Sequence, residues 1–223
     1  MPAPGDRADE PTSRLLISPD GSVLARVSGD HIDLINATTL VADSEVGIDP
    51  SASDSDVALT GTPARLVVVA RYDGTTRVHT VDPHGPAALG ELTVRASMRV
   101  AAASGDYLWL AGASGSAVVD VVRKDLAMWP LPLRTPIHCA GPFTGGRFVA
   151  STAGLIEEWD PVGRAPVRRF RLNRPAPVRF VGGGTRQVWM VPATEGPRVE
   201  LIPLVNSGQP TRIDLPEPVA RAV

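Results

Sequence analysis

Seven arginines and no carboxylate fall between Pro161 and Arg186. An arginine guanidinium is a planar fork that grips a carboxylate or phosphate through two hydrogen bonds. Arg164, Arg169, Arg171 and Arg174 lie on or beside the segment PVRRFRL. Its period-two alternation puts Phe170 and Leu172 on one face and Arg169 and Arg171 on the other. These four arginines are the candidate partner-binding residues, and they suit a protein partner with an acidic surface. A structural reading competes: charge along an exposed outer strand keeps it from pairing with other chains. Nucleic acid fits less well, because its binders combine a basic surface with stacking aromatics. Here the formal net charge is −2 and aromatics make up 4% of residues.

Other residues capable of chemistry are scattered. Asp49, Asp54 and Asp56 fall in an acidic stretch, Asp43–Asp56, that reads as a solvated loop and lacks the spacing of a Ca²⁺ loop. His31, His79, His84 and His138 form no metal-binding pair, and adjacent His138 and Cys139 would point to opposite faces of a strand. Glu157 and Glu158 alternate faces for the same reason, which argues against a glycosidase-type pair. Gly182-Gly183-Gly184-Thr185 has no following lysine or helix and reads as a hairpin turn rather than a phosphate loop. No Gly-x-Ser-x-Gly element occurs. The expectation is no catalytic set, no metal and no cofactor.

The elements that must position these residues repeat. Short apolar runs separated by Gly, Pro, Asp and Ser turns recur about every 40 residues. Five such units cover roughly 13–50, 51–96, 97–137, 138–177 and 178–218. Ala25, Val68, Leu108, Phe148 and Trp189 mark the second run of each. Those runs are the most continuously apolar, as expected of strands buried on both faces. The spacing predicts an all-β chain, a β-propeller of about five four-stranded antiparallel blades, expected to close as a five-bladed ring unless a partner or second copy completes a larger one. Arg123–Trp129 and Pro86–Leu92 have room for one helical turn each.

Two motifs sharpen the fold. Ser18-Pro19-Asp20-Gly21 looks like the turn between first and second strands of a propeller blade, and Trp159-Asp160 like the dipeptide that closes a third strand. Ile35-Asn36, Val81-Asp82, Val122-Arg123 and Val205-Asn206 occupy the matching exits. On these residues the span 13–218 resembles a degenerate WD40-like or YVTN-like β-propeller. No Gly-His opens a unit and only one unit carries Trp-Asp, so the resemblance concerns architecture.

Residues 1–12 are polar and Pro-rich and read as a tail, and 219–223 as a loose end. No signal-like start is present, and no apolar run reaches the ~20 residues that span a bilayer. The single cysteine suits a reducing compartment. A cytoplasmic site is therefore expected. Arg outnumbers Lys 21 to 1, the stamp of a GC-rich genome, which suggests a bacterial source. Residues 1–60 carry a net −8 and 61–223 a net +6. The first functional expectation is a non-catalytic propeller that scaffolds protein–protein interaction, with Tyr72, Tyr107, Trp129 and Trp189 as candidate anchors. A rival is a propeller that binds a sugar or metabolite, or acts as a hydrolase or lyase, at its axial channel. A third is a subunit whose open edge a partner chain completes.

Overall fold

A computed structural model describes residues 13–85, 87–132, 137, 139–152, 154–171, 178–184, 187–192, 198–203 and 211–214. It contains five four-stranded antiparallel sheets, each made of consecutive strands in simple order. Blade 1 is β1 (Arg14–Ile17), β2 (Val23–Ser28), β3 (His31–Asn36) and β4 (Ala42–Gly47). Blade 2 is β5 (Asp54–Thr60), β6 (Arg65–Tyr72), β7 (Thr75–Val81) and β8 (Ala88–Val94). Blade 3 is β9 (Met98–Ser104), β10 (Tyr107–Gly112), β11 (Gly115–Asp120) and β12 (Met128–Leu131). Blade 4 is β13 (Cys139–Phe143), β14 (Arg147–Thr152), β15 (Leu155–Asp160) and β16 (Ala165–Arg171). Blade 5 is β17 (Val178–Gly183), β18 (Gln187–Pro192), β19 (Arg198–Pro203) and β20 (Thr211–Asp214). All-β architecture is thus established.

Apolar residues on facing sheets build four cores, one at each successive seam. Blade 1 meets blade 2 through Ala25, Ile32 and Leu34 against Leu66 and Val68. Blade 2 meets blade 3 through Val67, Val69 and Val78 against Leu108, Leu110 and Val119. Trp109 stacks edge-on against Phe148 and Trp159 between blades 3 and 4, and Val149 and Ile156 meet Val188 and Met190 between blades 4 and 5. Burial of both faces explains why β6, β10 and β14 are continuously apolar.

The turns repeat by a shared mechanism. A short acidic or amide side chain at the end of the third strand accepts hydrogen bonds from backbone N–H groups two or three residues on. Asn36 accepts from Thr38 and Thr39, Asp82 from His84, Asp120 from Val122 and Arg123, and Asp160 from Val162. This Asx turn starts the loop and is what the Trp-Asp position does here; Leu40, Leu126 and Arg164 take positive φ farther along three of the four loops. The exit of blade 3 is therefore Val119-Asp120, not Val122-Arg123; Val205-Asn206 lies outside the described residues. At the first turn, Asp20 accepts from the Ser18 hydroxyl and from the Ser22 N–H and hydroxyl, holding its carboxyl down to about 2.

Several expectations need correction. Segments 123–129 and 86–92 hold no helical turn among the described residues; they end in β12 and β8. Much of the acidic stretch is strand: Asp43 is in β4, and Asp54 and Asp56 are in β5, both bonded to Arg71. Asp56 also accepts the Val100 N–H at 3.0 Å, tying blade 3 to blade 2. Gly182 and Gly183 belong to β17 rather than to a turn. A Cβ on Gly182 would stand 2.3 Å from the Trp189 ring, and one on Gly183 2.6 Å from Phe143.

Candidate functional site

The four arginines were expected on or beside an outer strand. Arg169 and Arg171 lie on β16, and Arg164 lies in the turn before it; Arg174, with Leu172, lies outside the described residues. The register pairs Glu157 with Arg169 and Leu155 with Arg171, so both arginines share the face that looks toward blade 3. Arg164 lies on that side too, its guanidinium 5.3 Å from the Trp129 ring centre. That contact is a cation–π pair across the blade 3–blade 4 rim. Trp129 is held in turn by its Nε1–H donated to the Pro161 carbonyl at 2.8 Å, and by an edge-on contact with Tyr107. The three arginines are therefore a row along the strand, not one tight cluster.

Their charges are not equally free. Arg169 Nε donates to Glu157 Oε1 at 2.8 Å, and the Glu157 side chain is almost fully covered. On the opposite face, buried Glu158 takes Arg147 at 2.5 Å and has Arg168 at 3.6 Å. Two carboxylates that alternate faces, as expected from the strand period, thus each consume arginines. Arg171 is exposed and makes no ion pair among the described residues. Sequence reasoning missed this division, because Glu157 and Glu158 lie outside the acid-free stretch yet sit directly opposite it.

A second surface is a cleft of about 730 Å³ between blades 1 and 2, bordered by Asp30, Asp49, Asp54 and Arg14. Its charges are mostly engaged. The Tyr72 hydroxyl donates to Asp49 at 2.6 Å and holds that carboxyl down to about 2, aided by Ser51. The same bond raises the Tyr72 phenol. Tyr72 also carries Arg77 over its ring at 5.0 Å. His31 is raised by its contact with Asp30.

The axial cavity, about 500 Å³, is bordered by the first strand of every blade. Its lining is mainly aliphatic and small, as at Leu15, Ile17, Leu59, Ala102 and Gly141, with Trp189 and Arg14 as the exceptions. Among the described residues no three His, Cys, Asp or Glu gather in a metal-binding group. His79 is half-buried in β7, opposite Glu91; His138 lies outside the described residues. Burial pushes the Cys139 thiol up to about 12, which leaves it inert as a nucleophile. Of the expected anchors, Tyr72, Tyr107 and Trp129 are engaged in ring and hydrogen-bond contacts, whereas Trp189 is only half-buried.

Comparisons extend the fold and not the chemistry. No protein-family model matches the chain, and no curated protein matches it. Solved structures do. A chain from a complex of KlAtg21 with the coiled-coil of AgAtg16 superposes with TM-score 0.65 at 16% identity, covering 96% of this chain and 73% of that one. A chain of a mitotic checkpoint complex gives 0.63 at 16% identity, covering 96% and 67%. Kuenenia stuttgartiensis hydrazine synthase gives 0.60 at 18% identity, covering 96% and 70%. At such identities the likeness speaks for fold alone, and complexes and an enzyme share it. Five four-stranded sheets, Asx turns at four third-strand exits and these neighbours together make the chain a β-propeller of WD40-like architecture.

Proposed function

We propose that this protein is a non-catalytic propeller platform that binds another protein in a cytoplasmic complex of a bacterial cell. The observation that carries the reading is the exposed arginine row on blade 4, held on a sheet whose two faces are packed against neighbouring blades. A guanidinium such as Arg171, presented from a rigid strand with no internal partner among the described residues, suits a carboxylate-bearing protein surface. Arg164 and Arg169 flank it, and Arg174 completes the proposed site. A sugar- or metabolite-binding channel, or a hydrolase or lyase there, is less well supported. Such ligands need converging polar groups, and the axial lining offers mainly aliphatic ones.

The test is affinity capture from native lysate with wild type and with Arg171→Glu, at low and moderate salt. A stoichiometric partner that weakens with salt and is lost in the variant supports the reading. A partner retained fully by the variant removes the arginine row, and no partner at either salt removes the platform.

A further inference from the structure

The four seams between blades raise a question about the fifth. Among the described residues, no apolar core joins blade 5 to blade 1. Among the described residues every sheet consists of four consecutive strands, and none is exchanged between the first and last blades. First strands approach one another closely in turn from β17 to β13, β9 and β5; the approach of β5 to β1 is sparser, and that of β1 to β17 sparser still.

Burial along blade 1 agrees. Whereas β6, β10 and β14 are buried on both faces, β2 alternates, with exposed Arg26 at its centre. Pairing places Leu15, Ile17, Leu24 and Ile35 on one face of blade 1, beside the Arg26–Asp33 ion pair. The other face fills the core with blade 2. Leu15 and Ile17 are 56% and 57% exposed, although the first strand is the innermost of its blade. On blade 5, Trp189 and Leu201 pair across the sheet on the face away from blade 4, and both are half-buried.

We propose that this seam is a docking site for a β-sheet supplied by a partner polypeptide and packed as a further blade, between the outer face of blade 1 and Trp189 of blade 5. The proposal rests on the platform reading and names a surface for it. Two observations favour a sheet. Every other seam is sheet on sheet, with aliphatic residues on both sides. The open face of blade 1 is also mainly apolar, with Leu15, Ile17, Leu24 and Ile35 beside the single Arg26–Asp33 ion pair.

The experiment places a photo-cross-linking phenylalanine analogue at Ile17 or at Trp189 of the full chain in its native cells, with Val41 as an exposed position away from the seam. Expected is one polypeptide captured from both seam positions and not from Val41, cross-linked within a segment of alternating apolar residues. That polypeptide, purified, should bind one-to-one. A Leu15→Asp, Ile17→Asp double variant should weaken it by roughly ten-fold or more, as for anchors central to an interface. Both positions are exposed, so this variant should melt with wild type; Ile17→Ser alone gives a milder second probe. Capture of a second copy, of different proteins at the two positions, or of nothing overturns the seam, as does unchanged binding by both variants. If the seam variants bind normally while Arg171→Glu does not, the seam falls and the platform stands. If neither surface captures anything, both fall.

Discussion

Reversing Arg169 and reversing Arg171 should have different consequences, although the two are neighbours on one face of β16. Arg169 Nε sits 2.8 Å from Glu157, whose side chain is 10% exposed and whose other oxygen takes the Trp159 indole N–H at 3.3 Å. Arg169→Glu removes a charge-assisted bond and brings a second carboxylate toward a covered one. A bond to a charged group contributes about 1.5–3 kcal/mol when buried, but the Arg169 side chain is 60% exposed, and solvent screening brings this to about 1 kcal/mol. Repulsion between the two carboxylates adds roughly as much, for a total near 2 kcal/mol. For a chain of this size that lowers Tm by about 4–8 °C. Arg171→Glu breaks no described ion pair and should stay within about 0.5 kcal/mol of wild type. Thermal and urea unfolding of the two variants decide the matter. Equal losses, or a larger loss at Arg171, would refute the division of the row into a structural and a free arginine. Partner-binding tests should accordingly use Arg171, since a double reversal confounds docking with stability.

Other consequences are accessible to simple assays. Gly182→Ala places a Cβ where the Trp189 ring lies, so overpacking should cost about 1–3 kcal/mol and change tryptophan emission; the emission change should vanish in a Trp189→Phe background. Asp20 and Asp49 titrate at about 2 instead of 3.8, chiefly through the Ser18 and Tyr72 hydroxyls respectively. Carboxyls lowered in this way stabilise the fold above 3.8, and the contribution disappears as pH falls toward about 2. An Asp20→Asn, Asp49→Asn variant should therefore start less stable at neutral pH and lose less across that window, and stability curves that remain parallel through it would contradict the two bonds. Cys139 should react with a thiol reagent far more slowly in the native protein than in the unfolded one, and equal rates would place the thiol outside its buried strand.

The repeat was legible because turn chemistry and apolar runs recur at nearly constant spacing, and both are local. Asn36, Asp82 and Asp160 could be placed at third-strand exits from their types alone, since a short side-chain acceptor closes such a turn wherever it falls. Asp120 was missed by three residues because Val121 and Val122 prolong the apolar run past the true end of β11. Which face a residue takes was less legible, because one inserted residue inverts it. Leu108 and Phe148, 40 apart, both face the preceding blade, whereas Trp189, a further 41 along, faces away from it. The same limit hid the pairing of Arg169 with Glu157, which depends on cross-strand register. The open seam left one trace, Arg26 in the middle of a second strand, where blades 2, 3 and 4 carry only apolar or small residues.

The most direct measurement compares Ile17→Ala with Leu59→Ala by equilibrium unfolding. The two residues hold matching places, each just before the hydroxyl of its first turn, Ser18 or Thr60. Leu59 is 9% exposed in the core between blades 1 and 2, whereas Ile17 is 57% exposed at the fifth seam. Four packed seams, and a fifth with no apolar core among the described residues, predict a loss of about 2–3 kcal/mol for Leu59→Ala and under about 1 kcal/mol for Ile17→Ala. Equal, large losses at both positions would mean that blade 5 closes on blade 1, and that the seam is not available to any partner.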